Sequence, residues 1–123
     1  LTAAIQFQHK ALVYPVQELS SSTIPVSVGK TGTYNGVGDA GVANGHFFLV
    51  DSSFNRVHIW RSVSNALDGK PADVILGANA YKSRPEIGRD TLFWPNSFSF
   101  DGSYLWVGEV KFSNRVLRFS PLP

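Results

Sequence analysis

The stretch FFLVDSSFNRVHIW at residues 47–60 carries the strongest fold signal in the chain, because YLWVGEVKFSNRVLRF at residues 104–119 repeats it. Each copy begins at or near a turn signal, Asn44-Gly45 or Asp101-Gly102. Each then gives an apolar strand, a polar loop ending in Asn-Arg, and a second alternating strand, which together are typical of a β-hairpin. The repetition predicts a repeat protein.

Strand signals extend each hairpin. Short runs at residues 41–43 and 97–100 precede the two copies, and β-rich runs that end in glycine lie at 72–77 and 23–29. Four short antiparallel strands make one blade of a β-propeller. The sequence therefore predicts an all-β fold, a single partial β-propeller segment over residues 1–123 with antiparallel four-stranded blades. Residues 11–29 would end one blade, 38–77 would form a complete blade, and 96–119 would form a blade lacking its last strand.

Residues 50–60 resemble the consensus of the NHL repeat: an aspartate, a small polar loop, Asn-Arg-Val and an apolar strand. The second copy departs from this pattern, with Glu109 near the aspartate position. The resemblance covers about residues 38–119 and implies the six-bladed β-propeller of that family. This chain would hold about two to two and a half of its blades.

The length of the chain limits what it can form alone. A propeller closes with about 4–8 blades of roughly 40–50 residues each, so 123 residues are too few for a ring. The start at Leu1 and the lack of methionine lead us to expect a piece of a longer protein. Uncovered blade faces and strand edges aggregate. The expected partners are therefore the remaining blades, from the same precursor or from other chains, together with a protein ligand.

Composition indicates a folded chain without an electrostatic specialisation. The chain is 43% hydrophobic and 16% charged, and its net charge of +2 includes 11 scattered Lys and Arg residues, so nucleic acid is not an expected partner. The absence of cysteine excludes disulfides. No apolar run approaches the roughly 20 residues of a membrane span. The likeness to tandem repeats of secreted and envelope proteins implies an extracellular or cell-envelope location.

The repeated polar positions are the first candidates for chemistry. They are Asp51, Asn55 and Arg56 in one copy, and Glu109, Asn114 and Arg115 in the other. We predict structural roles, in which asparagine bonds the backbone and arginine bridges to a neighbouring carboxylate. Alternatively, carboxylates of successive blades converge on a propeller's channel and hold a metal or act as an acid/base pair.

Other chemical motifs are weak. His9, His46 and His58 lack metal-ligand spacing, and no Gly-x-Ser-x-Gly motif presents a nucleophile. No catalytic residue, metal or cofactor is therefore expected. The strand aromatics, Trp60 and Trp106 among them, are expected to pack in the core between blades.

The densest charge cluster lies in the connector at residues 78–95. Its Tyr81, Lys82, Arg84 and Arg89 form a candidate partner-contact loop, because loops on a rigid scaffold commonly carry binding. The expected function is a non-catalytic interaction scaffold that binds a protein partner through inter-blade loops. Two alternatives remain. Resemblance to propeller lyases and lactonases implies an enzyme with a channel metal, and resemblance to other NHL propellers implies RNA binding on a basic face.

Overall fold

The fold of the chain is all-β. A computed structural model describes residues 2–5, 10–14, 20, 22–29, 34, 36–77, 87–89, 91–111 and 113–121. Within these residues the strands pair antiparallel with their neighbours, and one short helix interrupts the series. The prediction of an all-β fold is therefore confirmed.

The strands form three sheets in chain order. Sheet 1 contains β1 (Thr2–Ile5), β2 (Lys10–Val13) and β3 (Val26–Val28); sheet 2 contains β4 (Val37–Ala43), β5 (His46–Asp51), β6 (Arg56–Trp60) and β7 (Val74–Gly77); sheet 3 contains β8 (Pro95–Phe100), β9 (Leu105–Glu109) and β10 (Val116–Phe119). Whether the sheets are blades of a propeller stays a prediction.

Sheets 2 and 3 have the same strand register. Val37 pairs with Asp51 at the end of β5, as Pro95 pairs with Glu109 at the end of β9. The register shifts at the next step in both sheets, which marks a β-bulge at the same place. The repeated sequence therefore encodes the same pairing twice.

The two sheets also repeat unusual backbone conformations. Asn55 and Asn114, which end the loops that lead to β6 and β10, adopt φ angles of 59° and 47°. Gly36 and Trp94, directly before the first strands, adopt φ angles of 70° and 51°. Positive φ is uncommon outside glycine, although asparagine tolerates it better than most residues. Trp94 is therefore a strained position, held by contacts described below.

Sheet 2 is covered on both faces, which explains why β5 reads as an uninterrupted apolar run. One face packs against sheet 1 in a core that includes Ala11, Val28, Phe47, Leu49 and Trp60. The other face packs against sheet 3 in a core that includes Phe48, Val50, Val57, Leu105 and Val107. The three sheets are thus stacked face to face in the order of the chain.

The connector between β6 and β7 is folded onto the same core. It carries helix α1 (Val63–Leu67), whose Ala66 is buried. Trp60 Nε1 donates to the Lys70 carbonyl oxygen at 2.8 Å, and Asp73 N donates to the Ile59 carbonyl oxygen at 2.9 Å. These bonds lead the chain back to sheet 2 as β7.

The first strands of sheets 2 and 3 lie at sheet edges, and the preceding sheet caps each of them. Thr2 Oγ1 of sheet 1 donates to the Ala40 carbonyl oxygen of β4 at 2.7 Å. Asp39 Oδ2 of sheet 2 accepts from Phe98 N of β8 at 3.1 Å. One backbone group on each of these edges is thus bonded within the chain.

Candidate functional site

The loop of the first repeat copy closes around a buried carboxylate. Asp51 is fully buried at the end of β5. Arg56 Nη2 donates to its Oδ2 at 3.2 Å, and His58 Nε2 lies 3.5 Å from the same oxygen. The Tyr34 ring meets the His58 ring edge-on, with centroids 4.8 Å apart. Because this cluster is closed to solvent and the carboxylate is engaged by Arg56, its geometry suits a structural role.

The described histidines do not form a metal centre. His46 Nδ1 lies 2.9 Å from the Asn44 carbonyl oxygen beside the β4–β5 turn, whereas His58 is buried in β6. His9 lies outside the described residues. In the part of the chain that the structure describes, no group of three or more His, Asp and Glu residues is placed to hold a metal.

The second copy builds a similar cluster around Glu109. Arg115 Nε donates to Glu109 Oε2 at 2.6 Å, and Ser113 Oγ donates to the same oxygen at 2.6 Å. Phe93 N donates to Oε1 at 2.7 Å. Burial of the carboxyl opposes its ionisation, but the hydrogen bonds from Arg115, Ser113 and Phe93 outweigh it, so the pKa of Glu109 lies below its usual value.

This depressed pKa predicts an acid-sensitive contribution to stability. Ionised Glu109 stabilises the fold above its usual pKa of 4.5, and the contribution is lost as the pH falls through the lower folded-state pKa. Urea unfolding of the wild type and of Glu109→Gln should therefore differ most near neutral pH and converge in acid. A difference that is constant from about pH 7 to about pH 3 would contradict the assignment. Other carboxylates, such as Asp101, titrate in both proteins and cancel in the difference.

The two repeated asparagines have different surroundings. Asn55 is fully buried, and its Oδ1 accepts from Trp94 N at 2.7 Å. This bond joins sheet 2 to the segment that leads into sheet 3, and it holds Trp94 in its left-handed conformation. Asn114 has the same backbone conformation but is exposed. The repeated asparagine therefore forms a hydrogen bond between sheets in the first copy and lies at the surface in the second.

We expect Asn55→Ala to lower the free energy of unfolding by about 2–4 kcal/mol. The change leaves the part-buried Trp94 N–H without its acceptor, about 1–3 kcal/mol, and places alanine at positive φ, about 1 kcal/mol. Asn114→Ala is the matched control, because it carries the backbone cost without the buried bond. Equal losses in the two variants, measured by urea unfolding, would show that the bond to Trp94 contributes nothing.

Arg115 links the second cluster to the candidate partner-contact loop. Its Nη1 donates to the Gly88 carbonyl oxygen at 2.6 Å, and its Nη2 donates to the Thr91 carbonyl oxygen at 2.9 Å. Of the predicted contact residues, Arg89 is exposed between these two anchors. The other three, Tyr81, Lys82 and Arg84, lie outside the described residues.

Segment 88–94 is therefore the point where the repeat motifs converge. Asn55 forms a hydrogen bond to it from sheet 2, and Glu109 and Arg115 form hydrogen bonds to it from sheet 3. The sequence pattern identified Asn55, Glu109 and Arg115. It did not identify Trp94 and Asp39, since their bonds join residues far apart in the chain. Trp94 shares a positive φ with Gly36, but a tryptophan in the sequence gives no indication of that conformation.

Comparison with protein-family models, with curated proteins and with solved structures finds no match to this chain. Among the described residues, no helix has the length and apolar character needed to cross a membrane.

Proposed function

We propose that this chain is a segment of an NHL-like β-propeller that acts as a non-catalytic interaction scaffold and binds a protein partner through the loops between its sheets. The observation that carries the proposal is the anchoring of segment 88–94 by Asn55, Glu109 and Arg115. A loop with a fixed base loses less conformational entropy when a partner orders it, which favours binding. Gly88 and the exposed Arg89 lie at that base.

The stacking of the sheets supports the propeller part of the proposal. Sheets 2 and 3 share register, bulge position and left-handed residues, and sheet 1 packs on sheet 2 as sheet 2 packs on sheet 3. Face-to-face stacking of short antiparallel sheets is how propeller blades are arranged. The remaining blades would come from the same precursor or from other chains, in an extracellular or cell-envelope setting.

The state of the two carboxylates favours a scaffold over a channel-metal enzyme. Asp51 is engaged by Arg56, and Glu109 accepts bonds from Arg115, Ser113 and Phe93. A metal at either carboxylate would have to displace an arginine and break bonds that hold the loops. These two residues are therefore better suited to building the scaffold than to ligating a cation.

Cross-linking of the protein isolated with its native partners tests the loop. We expect lysine-reactive cross-links to the partner from Lys82, and none from the exposed Lys70. The triple variant Lys82→Ala, Arg84→Ala, Arg89→Ala should weaken partner binding about tenfold or more while its unfolding midpoint stays unchanged. The variant Lys30→Ala, Arg61→Ala, Lys70→Ala removes the same charge elsewhere and is the matched control.

Two outcomes would overturn the proposal. Partner cross-links from Lys70 without Lys82 would place the contact on another surface. A native particle that contains no second polypeptide, measured by native mass spectrometry, would remove the protein partner.

A further inference from the structure

The outer edge of β10 differs from the matching edges of the other two sheets. Among the described strands, β10 pairs only with β9. Its counterparts are paired on both sides, β2 with β1 and β3, and β6 with β5 and β7. An unpaired edge presents backbone donors and acceptors in the spacing that a further strand needs.

The side chains of β10 indicate which kind of residue an added strand would place beside them. Val57 of β6 is fully buried beside its pairing partner Leu76 of β7, and Ala11 of β2 is fully buried beside Val28 of β3. Val116 occupies the same register position in β10 and is 66% exposed. An apolar side chain on an added strand would lie beside Val116 in the same way.

The strands β3 and β7 share a feature that identifies the class of strand. Each is completed by a glycine with positive φ, Gly29 at 111° and Gly77 at 104°. A Cβ on Gly77 would clash with the Asn55 carbonyl oxygen. Asn114 has the same left-handed conformation beside β10, so a strand that pairs with β10 in the register of β7 needs glycine opposite Arg115.

A hydrogen-bond acceptor defines the other end of the strand. Asp73 directly precedes β7, and its Oδ2 accepts from Arg61 N at 2.7 Å. Ser120 directly follows β10 as Arg61 directly follows β6. An acidic residue at the start of the added strand would therefore accept from Ser120 N, as Asp73 accepts from Arg61 N.

We infer that the outer edge of β10 is a docking site for an extended segment of a partner polypeptide with the pattern acidic, apolar, any residue, apolar, glycine. A second copy of the chain fits less well, because its β3 and β7 are already paired. The inference rests on the repeat of the sheets and is independent of the partner-contact loop.

A peptide with the sequence of residues 71–78, PADVILGA, is the probe. Added to the full chain, it should slow hydrogen exchange of the Val116–Phe119 amides about tenfold or more at saturation, and leave exchange in β6 unchanged. Fused to the C-terminus through a flexible linker, the same segment acts at a local concentration in the millimolar range and should raise the urea midpoint. The peptide and the fusion that carry Leu76→Asp with Gly77→Val should do neither.

Variants of the chain locate the binding. Val116→Glu should weaken peptide binding about tenfold or more. Val110→Glu, at another exposed valine after β9, should leave binding unchanged. The inference is wrong if neither free nor fused segment protects β10, or if Val116→Glu binds as the wild type does. Protection of β10 that rises with protein concentration and without peptide would assign the edge to a second copy. An absence of partner cross-links from Lys82 would contradict only the proposed loop contact, and it would leave the inference about β10 standing.

Discussion

Phe48→Ala is expected to lower the free energy of unfolding by about 3–5 kcal/mol, the usual cost of removing a buried phenylalanine. Phe48 is 1% exposed in the core between sheets 2 and 3. Its ring is stacked 4.9 Å from Phe98 and lies 5.3 Å from Phe100 by centroid distance. Alanine would leave a cavity between two sheets whose backbones are fixed by their own ladders, so the site can collapse little. Urea unfolding measures the loss.

Trp106→Ala is the matched control, because Trp106 occupies the position in β9 that Phe48 occupies in β5. Trp106 is 39% exposed. It loses an indole hydrogen bond to Asp101 and a contact with Arg118, so we expect a cost of about 1 kcal/mol or less. Equal costs for the two variants would mean that sheet 2 and sheet 3 do not pack through Phe48 in solution.

Arg56→Met is expected to cost about 3–5 kcal/mol, because it leaves the buried Asp51 carboxylate without its guanidinium. Asp51 is fully buried and the Arg56 side chain is 10% exposed. Methionine keeps most of the apolar stem of the side chain, so the loss reports the charge and its hydrogen bond. Thermal and urea unfolding give the value.

Two comparisons separate the ion pair from general effects of losing an arginine. Arg61→Met changes an exposed arginine directly after β6 and should stay within about 0.5 kcal/mol of the wild type. The double variant Asp51→Asn, Arg56→Met removes both charges and should recover part of the loss. If Arg56→Met unfolds at the same midpoint as Arg61→Met, the buried pair does not stabilise the fold.

Local sequence signals specified the hairpins well, because the turn at Asn44-Gly45 and the alternation of β6 act over a few residues. Both turn residues have positive φ, 47° and 74°, as a two-residue hairpin turn requires. Because the sequence repeats, the register of sheet 3 follows from that of sheet 2. Fold class and strand order could therefore be predicted.

Burial could not be predicted from the repeat, because it depends on which sheet lies next to each copy. Trp106 was expected in the core and is substantially exposed, whereas its counterpart Phe48 is enclosed. Asn55 and Asn114 differ in the same way. The partner-contact role of Tyr81, Lys82, Arg84 and Arg89 stays a prediction, since sequence can place charges in a loop but cannot identify what they meet.

The contacts between sheets have a direction that bears on how the molecule opens. In each case a side chain forms a hydrogen bond to the backbone of the next sheet or of the segment before it: Thr2 to β4, Asp39 to β8, and Asn55 to Trp94. Cooperativity in such a stack passes between nearest neighbours, as in a one-dimensional array. Sheet 2 has a neighbour on each face, so its amides should be the last to exchange, with opening that starts at sheets 1 and 3 and moves inward. The molecule would then unfold from its two ends, with the central hairpin of β5 and β6 as its most persistent part.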